Sequence, residues 1–328
     1  MIVIIGSINM DLVLRVPRMP LPGETITGGQ FRTIPGGKGA NQAVACARLS
    51  ADSVKVAMVA CLGDDAFGAE LRAALRKDGI DDSHVATIAN TASGIASILV
   101  DDNGQNSIVL ASGANAELSP AHIDAARGLI EQARIVVLQL ESPLLTVIHA
   151  IKLAHALGKT VVLNPAPAQT LPTELLGQID YLVPNEIEAA MLAGIPAGSI
   201  NIDEDNDEHI AAVIGKLRAA GSTNVLVTLG EKGVYAALES GSAHFDAQAV
   251  KAVDTTAAGD TFIGGFVAAL AEGRSEADAI ALGQRAAAIS VARVFSTCVL
   301  RRSTSRSAAV PRSRRCCVSV NIFCSVSA

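Results

Sequence analysis

Short apolar runs alternate with segments of helical period through the middle of this chain. Val54–Ala60, Ile135–Leu140, Thr160–Leu163, Tyr181–Val183 and Val225–Leu229 have the length and β-branched content of buried strands. Between them, Ala40–Leu49, Ala66–Lys77, Ala121–Gln132, Leu144–Leu157 and Ile210–Ala220 repeat their apolar positions at helical spacing. Ser119-Pro120 is a start signal, a capping residue followed by proline at the first helical position. Met1–Gly6 is apolar and reads as a first strand. Such alternation predicts right-handed βαβ units and an open sheet with helices on both faces. Ligands then bind beyond the carboxyl ends of the strands. The polar residues of interest fall at those ends: Asn9, Asp11, Glu141, Asn164, Asn185, Glu188 and Thr228.

Two regions break the alternation. Leu12–Ile34 and Gly94–Ala111 have period-two character and turn residues with no helix between. They predict a small β-sheet lid over the strand ends, at about residues 12–34 and 94–111. The expected fold is therefore α/β, a three-layer doubly wound and mostly parallel sheet with a β lid. A lid would exclude water from a reaction in which water competes as acceptor.

Composition sharpens this picture only in places. The 328 residues are 50% hydrophobic and 3% aromatic, with no Trp, which suits Ala- and Val-rich helices on a parallel sheet. A formal charge of -6 argues against nucleic acid as a partner. No apolar run reaches membrane-span length, and the expectation is a cytoplasmic protein without a membrane partner. Cys46 and Cys61 sit alone in apolar segments, as buried thiols do. Cys298, Cys316, Cys317 and Cys324 form no C-x-x-C pair and have no nearby His, so a zinc site is not expected.

The densest candidate chemistry lies at Thr255–Gly265. Small residues lead there into an apolar helix read as Phe262–Leu270. A helix start presents unpaired N–H groups and the positive end of the dipole, a ready anion site. Asp260 sits in the same turn, beside Ala257, Ala258 and Gly259. A phosphate held by the amides, with a carboxylate facing the attacking group, suits phosphoryl transfer to an alcohol. The plainer reading is a helix cap.

Pro35–Gln42 is glycine-rich but lacks the first glycine and the Ser/Thr of a P-loop. Gly37 would let backbone amides touch a small polyol, with Lys38 and Asn41 adding side-chain hydrogen bonds; a simple turn is the alternative. Asn9 and Asp11 are an amide and a carboxylate suited to vicinal hydroxyls, and Glu141 closes a buried strand. Asn185 and Glu188 lie one turn apart, able to face a phosphate-bound magnesium or to cap a helix. Thr228–Gly233, with Gly230, joins two strands where a nucleotide backbone could approach, or is only a hairpin turn. Asp203–Glu208 lacks the glycine and terminal glutamate of a calcium loop and reads as a solvated loop.

Together, Gly6–Asp11, Gly36–Ala43, Asn164–Ala168 and Asp254–Asp260 resemble the phosphofructokinase-B type carbohydrate kinases, from Met1 to about Arg293. The resemblance implies ATP-dependent phosphorylation of D-ribose at its 5-hydroxyl. It implies that Asn9, Asp11, Gly37, Lys38, Asn41 and Glu141 hold the sugar. It assigns Asp260 as base, and the amides of Ala257 to Asp260 as anion hole. By the same resemblance, Asn185, Thr228, Gly230, Gly233, Gly259 and Gln284 contact ATP, and Glu188 acts on Mg2+ through water. Potassium is implied as an activating cation, with Asp254, Thr256, Ser290 and Arg293 as ligands. Other outcomes are a kinase for another pentose or a nucleoside, or a sugar-binding protein without turnover. The intact Asp260 and Gly259 favour the enzyme. The lid's exposed edges suggest a homodimer.

The resemblance stops near Arg293. From Val294 the chain has no Gly, Lys, Asp or Glu but six Arg, and the remainder carries 20 basic against 32 acidic residues, a net of -12. Phe295 and Val299 stand where the family has glycine and serine, and Gln284 where it usually has Asn or His. The abrupt change reads as a frame shift, with a natural basic tail as the alternative. The expected division is a kinase domain at 1–293 and an aberrant tail at 294–328. Rich in Arg and Ser, the tail is expected to be loosely held.

Overall fold

A computed structural model describes residues 1–195 and 207–293. The tail reading, its four cysteines, and residues 203–206 of the acidic stretch lie outside the described residues.

A nine-stranded sheet forms the middle layer. Its parallel strands are β1 (Ile2–Ile5), β4 (Val56–Gly63), β5 (Asp81–Ile88), β8 (Ile135–Leu138), β9 (Thr160–Leu163), β10 (Tyr181–Leu182) and β11 (Asn224–Thr228). β12 (Val234–Leu238) and β13 (Gly241–Phe245) extend it antiparallel at one edge. The spatial order is β13-β12-β11-β10-β9-β8-β1-β4-β5. The lid is a separate four-stranded sheet, ordered β3 (Phe31–Gly36), β2 (Asn9–Arg15), β6 (Gly94–Val100) and β7 (Asn106–Ala111).

Ten α-helices accompany the described strands: α1 (Lys38–Leu49), α2 (Ala66–Lys77), α3 (Pro120–Ala125), α4 (Arg127–Gln132), α5 (Leu144–Ala156), α6 (Thr173–Leu176), α7 (Glu186–Leu192), α8 (Asp207–Ala219), α9 (Ala258–Ala271) and α10 (Glu276–Val291). Alternation in β1 splits the core in two. Ile2 and Ile4 pack with residues of α1, α2, α9 and α10, whereas Val3 and Ile5 pack with residues of α3, α4, α5 and α8. Each buried Ile or Val contributes about 1.5–3 kcal/mol. Because both faces of β1 are buried, a one-residue slip would cover as much apolar surface. The pattern therefore does not fix where β1 ends, but Gly6 does. A Cβ there would strike the Gln139 side chain and come within 3.2 Å of Gly39 Cα.

Several expectations shift at their edges. β2 begins at Asn9, so Asn9 and Asp11 belong to the lid strand itself and share one of its faces. The helix read at Ala121–Gln132 breaks at Ala126, which separates α3 from α4. Asp207 already belongs to α8, so the acidic stretch is not loop to its end. The helix expected from Phe262 starts four residues earlier, placing Asp260 inside its first turn.

α9 is wedged between two neighbours. A Cβ on Gly264 would collide with Ala45 of α1, and one on Gly265 would lie 2.9 Å from Gly283 Cα of α10. The glycines allow backbone-to-backbone packing on both sides.

Candidate active site

The site gathers where β1 runs into β2. Ser7, fully buried in this crossing, donates from Oγ to Glu141 Oε2 at 2.6 Å. The Lys38 N–H donates to the same oxygen at 3.1 Å. Glu141 lies past the end of β8 and not on it, and is brought to the start of α1 by these two bonds. Gly37 caps α1 with φ 89°, a left-handed conformation that suits glycine, and a Cβ would stand 2.7 Å from the Asn9 nitrogen. The Asp11 carboxylate lies over Gly36, where any side chain would collide with it.

Asp260 is 7% exposed and accepts from two side chains of α1. Gln42 Nε2 donates to its Oδ1 at 2.8 Å, and Asn41 Nδ2 to its Oδ2 at 3.2 Å. The first N–H groups of α9 lack intrahelical partners by geometry. Of the four amides read as an anion hole, that of Ala258 donates to the Thr255 carbonyl at 3.2 Å. Ala257 holds the left-handed conformation at φ 57°, unusual for a residue with a Cβ and common at functional turns.

Carboxylates crowd this pole. Burial, then Glu141 and Asp260, push the Asp11 carboxyl up to about 7. Burial acts to lower the Lys38 ammonium, but the charges of Asp260, Glu141 and Glu188 outweigh it and hold the value above that of an ordinary lysine. Lys38 is therefore the fixed positive charge among four acids. Burial raises the Glu188 carboxyl, while its backbone bond to Asn185 and the Lys38 charge oppose the rise.

Asn185 and Glu188 form a capping box on α7. The Asn185 N–H donates to Glu188 Oε2 at 2.9 Å, and the Glu188 N–H to Asn185 Oδ1 at 2.8 Å. Asn185 thus spends its side-chain oxygen on the helix, and it does not line the large cleft beside Thr228. That cleft, about 760 Å3, is lined by Thr228, Gly230, Gly233, Gly259 and Gln284 among others. Gln284 points its amide nitrogen at the carbonyls of Phe245 (2.6 Å) and Asp246 (3.2 Å), tying the end of β13 to α10. A smaller cavity of about 330 Å3 lies between lid residues including Asp11 and Ile98 and the loop Ala252–Ala257, with Asn41 on its wall. The two cavities share Ala252 and Thr255.

Asp254 Oδ1 accepts from the Thr256 N–H at 2.9 Å. The Val253 and Asp254 N–H groups donate to the Val291 carbonyl at 2.7 and 3.1 Å, so this loop is anchored to the end of α10 near Ser290 and Arg293. The Ser290 carbonyl, read as a cation ligand, already accepts from the N–H groups of Ala292 and Arg293.

Ser7, Asn115, Gln42 and Gln139 stand in this site without a role having been read for them. Asn115, 2% exposed, bonds the Ile8 backbone in both directions and donates to Asn9 Oδ1 at 2.7 Å. No local signal marks it in Gly-Ala-Asn-Ala-Glu. Gln42 could have been noticed as a polar residue on the apolar stripe of α1, between Gly39 and Cys46.

The chain matches the pfkB family carbohydrate kinase over residues 1–297. It is 46% identical to the ribokinase of Haemophilus influenzae over 290 residues, covering 88% of this chain and 92% of that one. Against the ribokinase of Schizosaccharomyces pombe it is 44% identical over 301 residues, with 89% and 92% covered. Its fold superposes on the Arabidopsis thaliana ribokinase complexed with ribose and ATP at a TM-score of 0.82, with 32% identity and coverage of 92% and 95%.

Proposed function

The chain belongs to the pfkB family of carbohydrate kinases, and from that premise we propose that it transfers the terminal phosphoryl group of ATP to the 5-hydroxyl of D-ribose. One observation carries the proposal most directly: the buried Asp260 carboxylate at the amino end of α9, reached from one side by the polar residues of α1 and from the other by a cleft lined with Gly259. The three relatives named above support ribose as acceptor and ATP as donor.

In this reading Asn9, Asp11, Gly37, Lys38, Asn41 and Glu141 hold the sugar. Hydroxyls are directional, and fixed carboxylates and amides accept and donate along set lines. Asp260 takes the 5-hydroxyl proton while O5 bonds to the γ-phosphorus and the bond to the bridging oxygen of ADP breaks. The amides at the start of α9 would stabilise the charge that develops on the transferred group. Thr228, Gly230, Gly233 and Gly259 would admit the nucleotide backbone, with Gln284 at the far wall and Asn185 outside it.

Among the described residues no three His, Cys, Asp or Glu side chains come together as a metal cage. Mg2+ keeps its waters and binds phosphate oxygens; Glu188 would hold it through water, and the ion would neutralise charge on the β- and γ-phosphates. Potassium suits the Asp254 carboxylate with the Thr256 and Arg293 carbonyls. Ser290 fits it less well, since its carbonyl is already doubly engaged. A homodimer through the lid is supported by the bare outer strand β7, where Ile108, Val109 and Leu110 are about half exposed or more. Among the described residues no helix is long and apolar enough to cross a membrane. The cytoplasm, where ATP is made, is the location proposed. Residues 294–328 are proposed to derive from a shifted frame, which resequencing the DNA tests.

A coupled ADP-release assay over D-ribose, 2-deoxyribose, other pentoses and nucleosides, with and without potassium, tests this function. Ribose is expected to give the highest kcat/KM. Ribose binding without ADP release would establish the sugar-binding protein instead.

A further inference from the structure

Asp260 is held at the end of a chain of buried amides whose direction is set by the backbone. Asn164, at the end of β9, donates from Nδ2 to the Val183 carbonyl at 3.0 Å. A carbonyl can only accept, so Asn164 must turn its oxygen the other way. That oxygen accepts from Gln42 Nε2 at 3.2 Å. Gln42 therefore faces Asn164 and Asp260 with its NH2 group, and one of the two protons goes to Asp260 Oδ1 at 2.8 Å. The other end of the Gln42 amide accepts from Gln139 Nε2 at 2.6 Å. Gln42, Gln139 and Asn164 are 0%, 1% and 7% exposed, so bulk water does not compete for these bonds. Every orientation in the chain is fixed by its neighbour, and Asp260 has no choice but to accept at Oδ1.

We propose that Gln42, clamped by Gln139 and Asn164, is a positioning residue that pins Oδ1 of Asp260 and leaves Oδ2 as the oxygen that takes the sugar's proton. This rests on Asp260 being the base. Oδ2 carries only the longer Asn41 bond, and Asn41 itself borders the cavity beneath the lid, so the less engaged oxygen is the one on the side of the cavity-lining residue. In the transfer, the O–H bond of the hydroxyl breaks with its proton going to Oδ2. The hydroxyl oxygen bonds to phosphorus, and the electron pair of the broken P–O bond leaves on ADP. Oδ1 stays bonded to Gln42 throughout. A carboxylate without that bond can rotate, and small displacements of a reacting group are costly.

The test uses Gln42→Met, which keeps the volume and removes the donor, and Gln42→Glu, which keeps an acceptor for Gln139 but sets a carboxylate against Asp260. Gln42→Met should lower kcat roughly 10- to 100-fold, the equivalent of one hydrogen bond to a charged group. Gln42→Glu should lower it further. In both, KM for ribose and for ATP should stay near the parent values. In an Asp260→Asn background, Gln42→Met should change kcat less than about twofold, because the interaction it removes is no longer catalytic. The same fractional loss in both backgrounds, or a loss of ribose affinity matching the loss of kcat, would show a merely structural role and overturn the proposal. If Gln42→Met does not fold, Gln139→Met leaves all bonds to Asp260 in place and should still cost about 3- to 10-fold in kcat alone; full activity there overturns the clamp. High turnover in Asp260→Asn itself would sink the base reading. A dead Asp260→Asn with a fully active Gln42→Met would sink only the positioning role.

Discussion

The two halves of the cleft are built in opposite ways. Around Asp260 and Glu141, side chain meets side chain: Ser7 with Glu141, Asn115 with Asn9, Gln42 with both Gln139 and Asp260. Around Gln284 the wall is mostly apolar and small residues with the positive-φ glycines Gly230 at 58° and Gly233 at 103°, the charged Glu231 and Lys232 lie beside them, and its space is more than twice that beneath the lid. A sugar must be told from its epimers by the direction of each hydroxyl, which demands donors and acceptors fixed beforehand. A polyphosphate is held by backbone amides and charge, for which bare backbone suffices. The densest side-chain network thus lies in the half proposed to hold the sugar.

Substitutions should divide along the same line. The largest effect is expected from Asp260→Asn, which should lower kcat roughly 10²–10⁴-fold while calorimetry finds ribose binding largely intact. Near-parent turnover would remove Asp260 from the chemistry. Next, Asp11→Ala should raise KM for ribose about 10- to 100-fold, as loss of a charged hydrogen-bond acceptor does, with KM for ATP unchanged. A change confined to ATP would dissolve the contrast between the halves. Gln284→Leu frees the end of β13 from α10 and should raise KM for ATP only about 2- to 10-fold, leaving ribose untouched.

The smallest expected effect concerns pH. The Asp11 carboxyl titrates at about 7 in the folded protein against 3.8 for a free side chain. The folded state therefore binds the extra proton between these values, and its stability falls as pH rises through 7. Thermal melting of the sugar-free protein should drop by a few degrees from pH 5.5 to 8, and Asp11→Asn should flatten that slope. An equal slope in both proteins would mean that other groups carry it.

Much of this architecture is legible in residue pattern. Thr160–Leu163 and Ala66–Lys77 are strand and helix over the predicted residues, because their patterns are long, clean and bounded by turns. β5 and β13 escape notice because Asp-Asp-Ser-His and Gly-Ser-Ala-His are polar, as sheet-edge strands with wet faces are. The site divides similarly. Asp260, Lys38, Asn41 and Glu141 announce themselves as charged or polar residues in glycine-rich turns or at a strand end. Asn115 and Gln139 do not, since their partners lie 106 and 97 residues away in sequence. Gln284 lines the large cleft, and its amide nitrogen is also spent on the Phe245 carbonyl at the end of β13, a strand whose polar residues give no pattern signal.

The glycine seam along α9 bears on heredity as much as on mechanics. Gly264 and Gly265 seat the helix of Asp260 between two jaws, Ala45 on one side and Gly283 on the other. A reading-frame accident after Arg293 leaves both jaws in the translated chain; one before Glu276 replaces the second jaw and with it the seat of Asp260. Two lesions separated by little more than the length of α10 would thus be different kinds of event, one altering an ending and the other unmaking the helix seat.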